Sequence, residues 1–222
     1  MRLRILLVCC AALALTVGVA TATGGDGNSA NAKKCQKGGW QNYFDSNDSS
    51  FASEDACVSY GAKGGTLVPG ITIRDDCDPT TFNANPPVGP GLGAICTGQG
   101  TTTWTSYINQ ITANGLVVNG SAQGWGFRPG ALQIKVGQSI RVKNVGGEAA
   151  TFTKVVNFGG GFVPSLNALV GLVVPAPECF AQSVNSTIVV PGNILTVNLP
   201  VGVHRFQDCI HPWERATVTV VP

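Results

Sequence analysis

The alternation of apolar and polar residues through the second half of the chain constrains the fold more than any other feature. "ALQIKVGQSIRVKNVG" alternates with period two on both sides of a turn at Gly137, which places Ile134/Val136 and Ile140/Val142 on inward faces. "STIVVPGNILTVNLPVGVHRF" repeats the pattern around Pro191-Gly192 and Pro200-Val201-Gly202, "WGFRPG" precedes it, and "ATVTVV" supplies a last strand. With 29 glycines and 13 prolines marking turns, seven or eight short strands predict an all-β sandwich over residues 101–222. A single helix is expected in "WTSYINQITANG", where Trp104, Ile108 and Ile111 are spaced for one face.

The N-terminus carries a different signal. Arg2 and Arg4 precede an apolar stretch from Ile5 to Val19, and Ala20-Thr21-Ala22 offers a small-residue cleavage site, the pattern of a secretory signal over residues 1–22. The apolar run is shorter than the roughly 20 residues of a membrane span. Val8 is too bulky to precede a lipid-modified Cys9 or Cys10. A secreted, periplasmic or cell-surface location follows, with no membrane span after cleavage.

Two of the eight cysteines lie in that signal, leaving Cys35, Cys57, Cys77, Cys96, Cys179 and Cys209. An even number in an exported chain indicates disulfides. Six cysteines allow about fifteen pairings, of which the sequential one is expected: 35–57, 77–96 and 179–209. A thiolate metal cluster is the alternative, but no C-x-x-C spacing remains in the mature chain.

Residues 23–34 are small and polar and suggest a flexible leader. Residues 35–65 form a small Cys-stapled module around Trp40, Tyr43, Phe44 and Phe51. These aromatics either close a mini-core or present a sugar- or partner-binding surface. Residues 66–100, rich in Pro and Gly, are expected to be an irregular connector. Charged residues make up 12% of the chain and the net charge is +2, too weak a field to steer nucleic acid.

The segment order in 101–222 resembles the cupredoxin family, in its small exported plastocyanin-like bacterial branch. The matching stretches are "WGFRPG", "IKVGQSIRVKNVGGEAATFTKV", "NFGGGFVP", "PAPEC", "VVPG" and "VGVHRFQDCIHPWERATVTV". The resemblance implies a Greek-key cupredoxin-like sandwich and a copper site of two imidazoles, a thiolate and an axial thioether. Carried over by position, the first imidazole falls on Ala150, the thiolate on Asp208, the second imidazole on His211 and the axial ligand on Glu214. Only His211 matches. Reading Cys209 as the thiolate shifts the strand by one residue and reverses its face. His204, four residues before Asp208, lies roughly 13 Å away along an extended strand, and Met1 leaves with the signal.

Asp208, His211 and Glu214 therefore define the candidate site, with Ala150 leaving an open side. One imidazole and two carboxylates suit a harder ion such as Zn²⁺, Mn²⁺ or Fe²⁺. The competing arrangement has the two acids bonded to backbone groups or to Arg215, with His211 as a packed loop residue. Two histidines and no G-x-S-x-G elbow give no hydrolase triad. "FGGGF" lacks the Lys-Ser/Thr of a phosphate loop and reads as a tight turn. Asn47, Asn119 and Asn185 open N-glycosylation sequons. The expectation is an exported, non-enzymatic binding or structural module, needing no cofactor, with an unidentified protein or surface partner. The alternatives are a copper electron carrier, should the family's copper be retained, and a non-copper metal protein.

Overall fold

The computed structural model describes residues 26–84 and 96–222. The expected signal at 1–22, the start of the leader and residues 85–95 of the connector lie outside the described residues. Among the described residues the α-helices are α1 (Asp26–Cys35), α2 (Glu54–Ala62), α3 (Pro79–Ala84), α4 (Trp104–Asn114) and α5 (Pro164–Leu169), with three short 3-10 turns besides. The strands begin with β1 (Tyr43–Phe44), β2 (Val68–Arg74), β3 (Gly126–Arg128), β4 (Ala131–Lys135) and β5 (Ser139–Asn144). They continue with β6 (Ala150–Thr151), β7 (Thr153–Val155), β8 (Ile188–Val189), β9 (Ile194–Asn198), β10 (Gly202–Gln207) and β11 (Arg215–Val221).

Two sheets dominate. One runs β1-β2-β5-β9, with β3 also paired to β2, and the other runs β4-β11-β10-β7. The alternation read from the sequence is visible in the burial: Leu132 and Ile134 on β4, Ile140 and Val142 on β5, and Ala216, Val218 and Val220 on β11 point inward. Side chains from both sheets meet in one core that includes Ile71, Ile140, Phe152, Phe206 and Val218. Val136 does not join it. β4 ends at Lys135 and the chain turns through Gly137, at a φ of 85°, leaving Val136 53% exposed.

The all-β expectation is corrected by the five helices. α3, α4 and α5 build a second core at one end of the sheets, where Phe82, Tyr107, Ile111, Trp125 and Leu166 pack with Ile210 and Trp213. The predicted α4 is present, capped by the Thr103 hydroxyl, which accepts from Ser106 N at 3.3 Å.

The flexible leader is corrected as well, since it is helical from Asp26 onward. Its composition gives no amphipathic face, so its order comes from outside. The Cys35–Cys57 disulfide ties α1 to α2, and Gly61 lets the two backbones approach. A Cβ on Gly61 would lie 2.9 Å from Ala32 N. Gly61→Val is expected to destabilise this helix pair by about 1–3 kcal/mol through overpacking. Limited proteolysis reads the loss as faster cleavage near α1, and unchanged cleavage would refute the packing.

Nor does residue 100 mark a break. β2 lies inside the supposed connector, yet it pairs in parallel with β5 from Gly70↔Arg141 to Ile73↔Asn144. β1 joins β2 in turn, so the N-terminal module extends the main sheet. Its aromatics line a mini-core, with Trp40, Tyr43, Phe51 and Tyr60 packed against Cys35, Cys57 and Leu67. The three sequential disulfides are all present. Among the described residues no helix is long and apolar enough to cross a membrane.

Candidate functional site

β10 and β11 form an antiparallel hairpin in register from Gly202↔Val220 to Gln207↔Arg215. Residues 208–214 close it. Asp208 N donates to Glu214 O at 2.9 Å and Glu214 N donates to His211 O at 2.8 Å. Those two bonds turn the loop back on itself and bring the three acid and imidazole side chains to one point.

Asp208 organises the loop. Its Oδ1 accepts from Thr151 N (2.8 Å), Thr151 Oγ1 (3.1 Å) and Ile210 N (3.0 Å). Its Oδ2 accepts from His211 N (3.1 Å) and lies 2.8 Å from His211 Nδ1. Thr151 supplies both hydrogens from β6 and takes one back, its Oγ1 accepting from Cys209 N at 2.8 Å. Ala150, its neighbour, packs into the main core instead.

Glu214 Oε1 lies 3.6 Å from the same Nδ1. On the opposite side of the ring, His211 Nε2 is 3.8 Å from Glu148 Oε2, which also accepts from Trp125 Nε1 at 3.3 Å. The side expected to be open is therefore filled by Glu148, two residues upstream of Ala150. Behind Glu148, Asp75 accepts from Gly147 N and Glu148 N at 2.6 and 3.0 Å. Asp75 borders an open groove of about 410 Å³ that also touches Gly98 and Gly146.

The cluster is closed. Asp208, Glu214, Glu148 and His211 are 0, 1, 2 and 4% exposed. Tyr107 stands edge-on to the imidazole at 6.4 Å, and Trp213 lies 5.5 Å from it. Arg215 does not serve the acids: its Nε donates to Pro212 O at 2.8 Å and its guanidinium sits 4.9 Å over Phe158. Of the two kinds of partner weighed for the acids, backbone groups serve Asp208 and Arg215 serves neither acid.

Burial alone would depress the His211 imidazole. The hydrogen bond and charge of Asp208, joined by Glu214 and Glu148, reverse this and raise it to about 10. Desolvation pushes Glu148 up to about 7 against the pull of His211. Desolvation also holds Glu214 well above the ordinary carboxyl range, again opposed by His211. Burial raises Asp75 against its backbone donors Glu148, Gly147 and Cys77 and the charge of His211.

Among the described residues no free thiol stands beside His211, because Cys209 is bonded to Cys179. The other imidazole, His204, points elsewhere, with its Nε2 2.8 Å from Pro200 O. Among the described residues, His211 thus has carboxylates, and neither a second imidazole nor a thiol, beside it. "FGGGF" is no isolated turn: Phe162 N donates to Cys209 O at 2.8 Å, and a Cβ on Gly161 would fall 2.0 Å from that oxygen. The Asn119 sequon is occupied structurally, since its amide accepts from Phe127 N and Arg215 N and donates to Arg215 O.

Sequence reasoning missed Glu148 and Asp75. Glu148 carried a signal, since only 12 acidic residues occur in the chain and this one flanks an expected ligand position. Asp75 carried none.

No protein-family profile and no curated protein matches this chain. Solved structures do. A purple cupredoxin from Nitrosopumilus maritimus aligns at 18% identity and a TM-score of 0.33, over 49% of this chain and 95% of its own. A reduced amicyanin mutant aligns at 15% and 0.27, over 41% and 70%. A mutant plastocyanin of fern aligns at 12% and 0.29, over 44% and 90%. Scores this low describe partial likeness in shape and assign no role.

Proposed function

We propose that the chain is an exported cupredoxin-like protein in which the blue-copper site has been replaced, and that it acts as a non-catalytic binding or structural module. The observation that carries this reading is the 2.8 Å contact between His211 Nδ1 and Asp208, at the position where the family resemblance calls for a thiolate. An acceptor-rich carboxylate there gives copper no sulfur donor and fixes the loop through backbone hydrogens instead. The two-sheet core and the three disulfides support a rigid extracytoplasmic scaffold.

Adding Cu²⁺ to the purified protein is expected to give no thiolate-to-copper band near about 600 nm. A stoichiometric band of that kind would establish an electron carrier and defeat the reading.

A further inference from the structure

We infer that Asp208, His211 and Glu214 form a binding site for one oxygen- and nitrogen-preferring divalent cation, of the Zn²⁺ or Mn²⁺ kind, with Glu148 as an outer partner of the imidazole. The inference rests on the reading that copper's thiolate has gone, and it supplies the ligand for the same pocket.

Spacing comes first. Asp208 Oδ2 and Glu214 Oε1 lie 2.8 and 3.6 Å from His211 Nδ1, and one donor atom from each of the three residues falls within 4.8 Å of the others. Two ligands bound to a single ion at about 2.0–2.2 Å each stand no more than about 4.4 Å apart. Small rotations of the Glu214 carboxylate satisfy that limit. The imidazole would bind through Nδ1, which leaves Nε2 at 3.8 Å from Glu148 Oε2, within ion-pair range and a short shift from a hydrogen bond. An imidazole that ligates with one nitrogen and donates from the other to a carboxylate is a common arrangement in metal sites.

A second, independent feature points the same way. Glu214 Oε2 is buried and has no hydrogen-bond partner, in a residue 1% exposed. Leaving a buried carboxylate oxygen unpaired is costly. A cation held by both oxygens of Glu214 removes that cost and provides a fourth donor. Charge agrees. Three buried acids surround one imidazole, and among the described residues no guanidinium is paired with them; Arg215 Nε donates to Pro212 O and its guanidinium lies over Phe158.

The donor set also selects the ion. Carboxylates with a single imidazole and no sulfur favour Zn²⁺ or Mn²⁺ over Cu⁺. The Asp75 groove lies on the Glu148 side of the cluster.

The test uses the chelator-treated chain, titrated calorimetrically with Zn²⁺ and with Mn²⁺. The expected result is 1:1 binding accompanied by a rise in melting temperature. Glu214→Gln, which keeps the shape of the side chain, should weaken binding at least tenfold while leaving the circular dichroism unchanged. Glu148→Gln should weaken it by a smaller factor. Absence of stoichiometric binding, or binding indifferent to Glu214→Gln, overturns the inference. Should Asp208→Asn fail to fold, Glu214→Gln still decides. A copper band in the natural protein would sink the preceding reading. Failure of Zn²⁺ and Mn²⁺ to bind without such a band sinks this one alone.

Discussion

Asp208→Ala is expected to lower the stability of the metal-free protein by about 3–5 kcal/mol, the usual cost of deleting one member of a buried charged pair. The residue is 0% exposed. Its loss strands the N–H groups of Thr151, Ile210 and His211 and leaves the imidazole facing a void. Asp208→Asn should fall between Ala and the native protein. An amide oxygen at Oδ1 still accepts three hydrogens, but an NH₂ at Oδ2 meets the His211 N–H as donor against donor. Urea denaturation monitored by tryptophan fluorescence measures the difference. A midpoint shift equivalent to less than about 1 kcal/mol would mean that Asp208 does not organise the loop.

The second large effect is expected from the double substitution Cys179→Ser/Cys209→Ser. The bond spans a sequence separation of 30, for which the chain-entropy account gives about 3.5 kcal/mol. Loosening of the loop adds to it, because Cys209 sits between Asp208 and Ile210 and the bridge helps hold its backbone N–H, which serine retains, against Thr151 Oγ1. The expected outcome is a fall in melting temperature greater than that of the matching Cys35→Ser/Cys57→Ser variant, whose bond staples only the α1–α2 pair. Equal falls would show that the Cys179–Cys209 bridge does nothing for the loop beyond shortening the unfolded chain.

The parts of this fold that were legible in the sequence are those with one wet face. β5 buries every second residue from Ile140 to Asn144, and β11 buries Ala216, Val218 and Val220 in the same rhythm, so period two exposes them directly. β2 has no such rhythm. Five consecutive residues from Pro69 to Ile73 are buried, and a strand covered on both sides next to Pro and Gly reads as connector. α1 was invisible for the opposite reason, since its small polar residues are ordered by a disulfide and by Gly61 rather than by an apolar stripe. For the site, the ligand positions carried over from the family resemblance led to three of the participants, Asp208, His211 and Glu214. Glu148, beside an expected ligand position, reaches the imidazole's far side, whereas Asp75 stands behind it on the backbone of Gly147 and Glu148, through a tertiary contact that no local pattern encodes.

One consequence follows from the way the β10–β11 loop is closed. Its main-chain path is set by hydrogen bonds between Asp208 N and Glu214 O and between Glu214 N and His211 O. Neither bond depends on what the side chains at 208 and 214 are. The hairpin register can thus persist when the side chains at those positions change. The path of the loop is therefore separable from its stability: a change at 208 leaves these two bonds formed but strands the N–H groups that Asp208 serves, so any new side chain there must bring acceptors of its own.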